Sequence, residues 1–215
     1  NPDNFIEDPL QIRNALTNYW SKLGLGNESA KDKSAADLDT LGNHPPDPDS
    51  LSHIIINIEF LKKAISKLKC GKSTGIDNIP AEFLKFGGEK VQQSILKLFL
   101  KVQLLEDLPQ DWYEGIIKPI YKEGKREVLG NYRGITISSI VYKTLVSIIE
   151  MQVMEYLENK GILGDFQGAF RKDRRCEDHI FNLKGICAIQ KSKKRHTYLG
   201  FLDISKAFDT VDRSH

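Results

Sequence analysis

One carboxylate near the end of the chain stands where it could bind a metal ion. Asp203 lies near the end of the nearly all-apolar run 198–204, which predicts a β-strand buried on both faces. A charge at the end of such a strand is costly unless something pairs with it. A divalent cation is one such partner, because two-metal phosphoryl transfer uses carboxylates of this kind to hold Mg²⁺. The alternative is that Asp203, together with Ser205, caps the helix that follows.

Upstream of this segment, the sequence predicts a β-hairpin. Residues 116–121 and 132–137 have the composition of two strands, and the polar stretch 122–131 between them contains two glycines. Pro119 lacks the backbone donor that a central strand needs, so we expect its strand to lie at an edge.

The rest of the chain is predicted to be mostly helical. Asn57 is the expected N-cap of a helix that stops near Gly71, and Ser138 is the expected cap of a long helix reaching Gly161. The segment 27–50 is rich in Asp and Pro and predicts a linker. Helices are expected over residues 10–25, 58–70, 81–86, 91–105, 139–160 and 177–191.

Charge and composition limit the class of protein. Residues 1–50 carry a net charge of −5 and the remainder carries +7, which is compatible with a polyanionic partner such as nucleic acid. No apolar run approaches the roughly 20 residues that a membrane helix needs, so no membrane partner is expected. Three scattered cysteines suit a reducing compartment, so we expect an intracellular protein, nuclear or cytoplasmic.

Four sequence blocks together resemble one enzyme family. Residues 201–211, FLDISKAFDTV, resemble motif A of the reverse transcriptases of non-LTR (LINE-type) retrotransposons. Three upstream blocks are similar to the same family in the same order: LKCGKSTGIDNIP at 68–80, the hairpin with NYRGI at 131–135, and FQGAFRK at 166–172. The resemblance extends from about residue 51 to residue 215. Ala169 departs from it, because the family usually has Gly there.

The resemblance implies roles for individual residues. Asp203 would be a catalytic Mg²⁺ ligand, and Phe208 would be the steric gate that leaves no room for a 2′-hydroxyl. Lys122 and Arg133 would hold the triphosphate of the incoming dNTP. A basic cluster would contact the template strand, namely Arg171, Lys172, Arg174 and Arg175.

The resemblance also implies a fold. We expect an α+β chain with a partial right-hand polymerase fold, consisting of fingers plus the first palm strand, helix-rich with a small β-hairpin. The expected divisions are an N-terminal helix and acidic linker at 1–50, a fingers-like region at 51–196 and the start of the palm at 197–215.

The implied parent reaction is RNA-directed DNA polymerisation, a nucleotidyltransferase activity that uses Mg²⁺, an RNA template, a DNA primer and dNTPs. The family carries further metal-binding carboxylates in an [FY]-x-D-D hairpin, and no Asp-Asp pair occurs in this sequence. We therefore expect this fragment to be inactive by itself. The alternative is a non-catalytic nucleic-acid-binding or interaction module derived from a retroelement remnant.

Overall fold

The computed structural model describes residues 8–23, 54–204 and 207–208, which form six α-helices and one two-stranded sheet. The first of two compact units contains the described residues up to Ile148 together with Ala207 and Phe208, and the second is Ile149–Ile204. The elements are α1 (Pro9–Leu23), α2 (Ile58–Lys67), α3 (Ala81–Phe86), α4 (Gly88–Leu105), β1 (Ile116–Tyr121), β2 (Tyr132–Ile137), α5 (Ile140–Asn159) and α6 (Cys176–Ser192).

Helix α2 begins at the cap residue that the sequence predicts. Its cap is Asn57, as predicted, and the side-chain oxygen of Asn57 accepts a hydrogen bond from the Phe60 amide at 2.9 Å. The helix ends at Lys67, before Gly71, because Leu68 already has extended backbone angles. One face of α2 enters the core of the first unit. The buried apolar residues of that core are Leu61, Ala64, Ile65, Ala81, Leu84, Ile95, Phe99, Trp112, Val141, Leu145 and Ile148.

The loop before α3 packs against the start of α5. Gly75 is buried there, and a Cβ atom at this position would lie 2.6 Å from the backbone nitrogen of Ser139. Only glycine permits so close an approach. The cap of α5 is Ser139, whose Oγ accepts from the amides of Val141 and Tyr142 at 3.2 and 3.3 Å. The prediction that Ser138 caps this helix was therefore wrong by one residue.

The predicted hairpin is confirmed, and the α+β class with it. Strands β1 and β2 pair antiparallel, with Ile120 opposite Arg133 and Tyr121 opposite Tyr132. Every residue of β1 is exposed, so the hairpin stands at the surface of its unit.

The predicted first palm strand is not formed. Residues 195–204 have neither helical nor strand structure, and Phe201 and Leu202 are 81% and 102% exposed. A strand buried on both faces needs neighbouring strands to satisfy its backbone donors and acceptors and to cover its side chains. Among the described residues, the only sheet is β1–β2, so the apolar run has no strand to pair with.

Several predictions fall outside the described residues, namely the linker at 27–50 and the helical cap role shared by Ser205. The domain limits 1–50, 51–196 and 197–215 stay a prediction. In the described part of the chain, no helix has both the length and the apolar composition to cross a bilayer.

Candidate functional site

The hairpin presents three cationic side chains on one face. Arg133 lies across the sheet from Ile120, and Lys118 lies across from Ile135. Side chains alternate between the two faces of a strand, so Lys122, two residues beyond Ile120, extends the same face. All five residues are exposed. This surface, Lys118, Ile120, Lys122, Arg133 and Ile135, is called the basic face below.

The opposite face of the hairpin is partly covered by helix α1. A Cβ atom on Gly134 would lie 2.8 Å from the indole Nε1 of Trp20 and 3.1 Å from Ile117. The rings of Tyr121 and Tyr132 meet edge to face on this side, with centroids 5.6 Å apart. The hairpin therefore has an aromatic side packed against its own chain, and its basic face remains open to solvent.

The loop that joins the strands is held by Asn131. Its side-chain Nδ2 donates to the Lys125 carbonyl at 2.7 Å, and its backbone carbonyl accepts from the Lys122 amide at 2.9 Å. The Lys122 ammonium lies 3.2 Å from the Glu123 carboxylate, with both side chains more than half exposed. Such a pair is weak in water, so Lys122 can exchange Glu123 for a phosphate at little cost.

The second basic group surrounds the FQGAFRK segment in the second unit. Arg171 forms a two-bond ion pair with Glu158 of α5, with Nε to Oε1 at 2.8 Å and Nη2 to Oε2 at 2.6 Å. This hydrogen bonding lowers the pKa of the Glu158 carboxyl below its usual value and raises the pKa of Arg171. Lys172, Arg174 and Arg175 are exposed beside it, and Arg174 lies 3.6 Å from Asp165.

Ala169 stands where the family usually has Gly, but its own backbone does not have a positive φ. The residues with positive φ in this segment are Phe170, at 60°, and Asp173, at 59°. The residue before Ala169 makes the close approach, because a Cβ atom on Gly168 would lie within 3 Å of the His179 ring on α6. The loop is therefore fixed against α6 at Gly168.

Asp203 belongs to the second unit and Phe208 to the first. Asp203 is exposed in the segment 195–204, and Phe208 is 74% exposed in a turn. Among the described residues, no three His, Cys, Asp or Glu side chains come together as a metal site would require. Asp203 is thus a single carboxylate, and it does not by itself make a binding site for a divalent cation.

Sequence reasoning missed two residues of these sites. Lys118 belongs to the basic face, and the strand alternation of Lys118, Ile120 and Lys122 could have identified it. Glu158 anchors Arg171 across 13 positions of sequence, and no local pattern signals that contact.

Comparisons with known proteins agree with these blocks. A family model described as reverse transcriptase (RNA-dependent DNA polymerase) matches residues 120–215, a range that includes every candidate site residue named from the sequence. A probable RNA-directed DNA polymerase from transposon BS of Drosophila melanogaster is 26% identical over 73% of this chain and 17% of its own length. A probable RNA-directed DNA polymerase from the X-element transposon of the same species is 28% identical over 65% of the chain and 16% of its own length.

A third relative, the uncharacterized 149 kDa protein of transposon TX1 of Xenopus laevis, is 21% identical over 98% of this chain. The chain spans only 16–17% of the length of these relatives. The range matched by the family model includes three of the four blocks, those at 131–135, 166–172 and 201–211. Residues 120–215 are therefore similar to part of a reverse transcriptase domain, and the relatives that match this chain are transposon proteins.

Proposed function

We propose that this chain supplies the fingers hairpin and one metal-binding aspartate of an RNA-directed DNA polymerase. The observation that carries the proposal is the basic face, where Lys122 and Arg133 share one exposed surface of β1–β2. The substrates of the whole enzyme would be an RNA template, a DNA primer and dNTPs. Its product would be DNA complementary to the template.

The basic face suits a triphosphate for electrostatic and geometric reasons. Arg133 can meet two phosphate oxygens at once through its planar guanidinium, and Lys122 adds a flexible point charge at the end of the same face. The packing of Trp20 near Gly134 supports the hairpin from behind. The face would therefore be held in place before the nucleotide arrives, which reduces the ordering cost of binding.

Asp203 would contribute one ligand to the Mg²⁺ ions of the complete enzyme. Metal ions in this chemistry activate the attacking oxygen and stabilise the leaving group. A single carboxylate cannot hold two ions, so the remaining ligands would come from a palm hairpin of the [FY]-x-D-D type. We accordingly assign no catalytic step to the residues of this chain alone.

Phe208 would act as the steric gate, because an aromatic ring under the sugar excludes a 2′-hydroxyl. The exposed Lys172, Arg174 and Arg175 would contact template phosphates, which position a strand without reading its sequence.

The test is DNA synthesis by a longer protein that carries this chain and the rest of the polymerase domain. With Mg²⁺ and dTTP it should extend oligo(dT) on poly(rA). Without added Mg²⁺ the same protein should not. A well-folded longer protein that binds the primer–template yet adds no nucleotide would contradict the proposal and favour a non-catalytic binding module.

A further inference from the structure

The Arg171 guanidinium makes four hydrogen bonds within its own unit, with five N–H donors available. Besides the two bonds to Glu158, its Nη1 donates to the carbonyl of Gly164 at 2.8 Å and to the carbonyl of Gln167 at 3.2 Å. All three nitrogen atoms of the guanidinium therefore donate to protein oxygens. The side chain is only 7% exposed, whereas that of Arg174 is 44% exposed.

These contacts leave Arg171 poorly suited to touch a phosphate. A bidentate arginine–carboxylate pair fixes the plane of the guanidinium, and the two carbonyls both accept from Nη1. To reach a phosphate, the side chain would have to break bonds that are already charge-assisted. Arg171 therefore differs in kind from Lys172, Arg174 and Arg175, which are exposed.

The bonds of Arg171 instead connect the parts of the loop. Glu158 lies in the last turn of α5, and the two accepting carbonyls belong to the loop that leaves that helix. The same loop approaches α6 where Gly168 packs against His179. The backbone amide of Arg175 donates to Asp178 at 2.8 Å at the start of α6. The chain from α5 to α6 is thus fixed at both ends and at its middle.

We propose that Arg171 is a positioning residue, anchored by Glu158, that holds this loop so that Lys172, Arg174 and Arg175 face the phosphates of a nucleic-acid strand. The inference deepens the proposed function, since it rests on that strand being the ligand. It changes the role of Arg171 from a template contact to the support of the neighbouring contacts.

Glu158→Gln distinguishes the two roles of Arg171, because they predict opposite changes in affinity for a polyanion. If Arg171 touched phosphate directly, removing the carboxylate would free the guanidinium and tighten binding to a polyanion. If Arg171 is a positioning residue, the loop loosens and binding weakens, although the protein has become more positive. Glu155→Gln is the matched control, because Glu155 is exposed on the same helix and makes the same charge change without this ion pair.

The first measurement is binding of a short single-stranded RNA to the full 215-residue chain over a range of KCl concentrations. We expect Glu158→Gln to weaken binding about tenfold and to reduce the slope of log K against log salt by roughly 0.7 for each lost phosphate contact. Glu155→Gln should leave the slope unchanged. Binding that is equal to, or tighter than, that of the wild type in Glu158→Gln would overturn the proposal.

Arg171→Gln provides a double-mutant cycle. If Glu158 acts only through Arg171, the double variant should bind no more weakly than Arg171→Gln alone. Additive losses would mean that Glu158 supports binding independently of Arg171, and would overturn the anchoring of Arg171 by Glu158.

Amide hydrogen exchange tests the loop independently of RNA. Glu158→Gln should speed exchange in residues 162–175, and Glu155→Gln should not. Equal exchange in both variants would overturn the proposal. Faster exchange in Glu158→Gln alone, in a chain that binds no RNA even as wild type, would contradict the proposed function while the role of Glu158 in holding the loop stood.

Discussion

Arg133 on β2 and Lys122, the residue after β1, project from the same face of the hairpin, because Arg133 pairs with Ile120 and Lys122 is two residues farther along. Two cations that lie eleven positions apart in sequence are thus made neighbours by strand register. A one-residue slip of that register would send one of them to the aromatic side. The NYRGI block matters partly because it begins β2 at this register.

The basic face should control nucleotide affinity in the complete polymerase domain. Arg133→Gln should raise the KM for dNTP about ten- to hundredfold, because a charge-assisted hydrogen bond contributes roughly 1.5–3 kcal/mol. Arg126→Gln is the control, since the Arg126 guanidinium lies 5.0 Å over the Tyr121 ring and not on the basic face. Steady-state kinetics decide the matter, and equal KM changes in the two variants would remove Arg133 from the triphosphate site.

Gly75 should tolerate no side chain. Gly75→Ala brings a Cβ atom against the backbone at Ser138 and Ser139, and we expect it to lower the free energy of unfolding of the first unit by about 1–3 kcal/mol. Gly130→Ala should be nearly neutral, because its nearest neighbour, the Tyr19 hydroxyl, would lie 3.6 Å from the new Cβ. Denaturant unfolding monitored by tryptophan fluorescence compares the two. Equal stability would show that the loop at 71–80 does not pack closely on the start of α5.

The sugar selectivity of the enzyme should depend on Phe208. Phe208→Val shortens the side chain and should increase the incorporation of ribonucleotides relative to deoxyribonucleotides by at least about tenfold. Phe201→Val, a change of the same size in the preceding apolar run, should not alter the ratio. Competition assays with matched rNTP and dNTP concentrations measure it. An unchanged ratio in Phe208→Val would exclude the gate.

The ion pair of Glu158 should make the second unit sensitive to acid. The pKa of this carboxyl is lowered by Arg171, so its contribution to stability is complete above the ordinary glutamate pKa of about 4.3 and is lost as the pH falls through the lowered value. The melting temperature of the wild type should exceed that of Glu158→Gln at neutral pH, and the difference should shrink in acid. A difference in melting temperature that is constant with pH would mean that the charge of the Glu158 carboxylate contributes nothing to the stability of the second unit.

Local signals predicted much of the fold, and contacts distant in sequence account for what they missed. The strand limits at 116–121 and 132–137 were correct because turn residues and composition define a hairpin locally. The N-cap role of Asn57 could likewise be predicted, because a cap hydrogen bond joins residues only three positions apart. The choice of Ser139 over Ser138 depends on which hydroxyl points at the helix amides, and two adjacent serines do not reveal that.

The prediction of a strand at 198–204 was wrong for a different reason. Its apolar pattern is a true strand signal, but a strand forms only where a partner accepts its hydrogen bonds, and β1–β2 is the one sheet in the described part of the chain. The ion pair between Arg171 and Glu158 could not be predicted from local sequence either, because it depends on the path of the loop between them. For the same reason the sequence could identify a basic cluster but not distinguish its supporting residue from its exposed ones.

The metal-binding role of Asp203 is tested by primer extension with the longer protein in which Asp203 is replaced by Asn. We expect Asp203→Asn to reduce extension to background while binding of the primer–template is retained, because a metal ligand is lost and the cationic surfaces are not. Asp111→Asn, the same change at an exposed aspartate of the first unit, should leave extension intact. Extension by Asp203→Asn at the wild-type rate would contradict the assignment of Asp203 as a metal ligand and the proposal that this chain belongs to a polymerase active site.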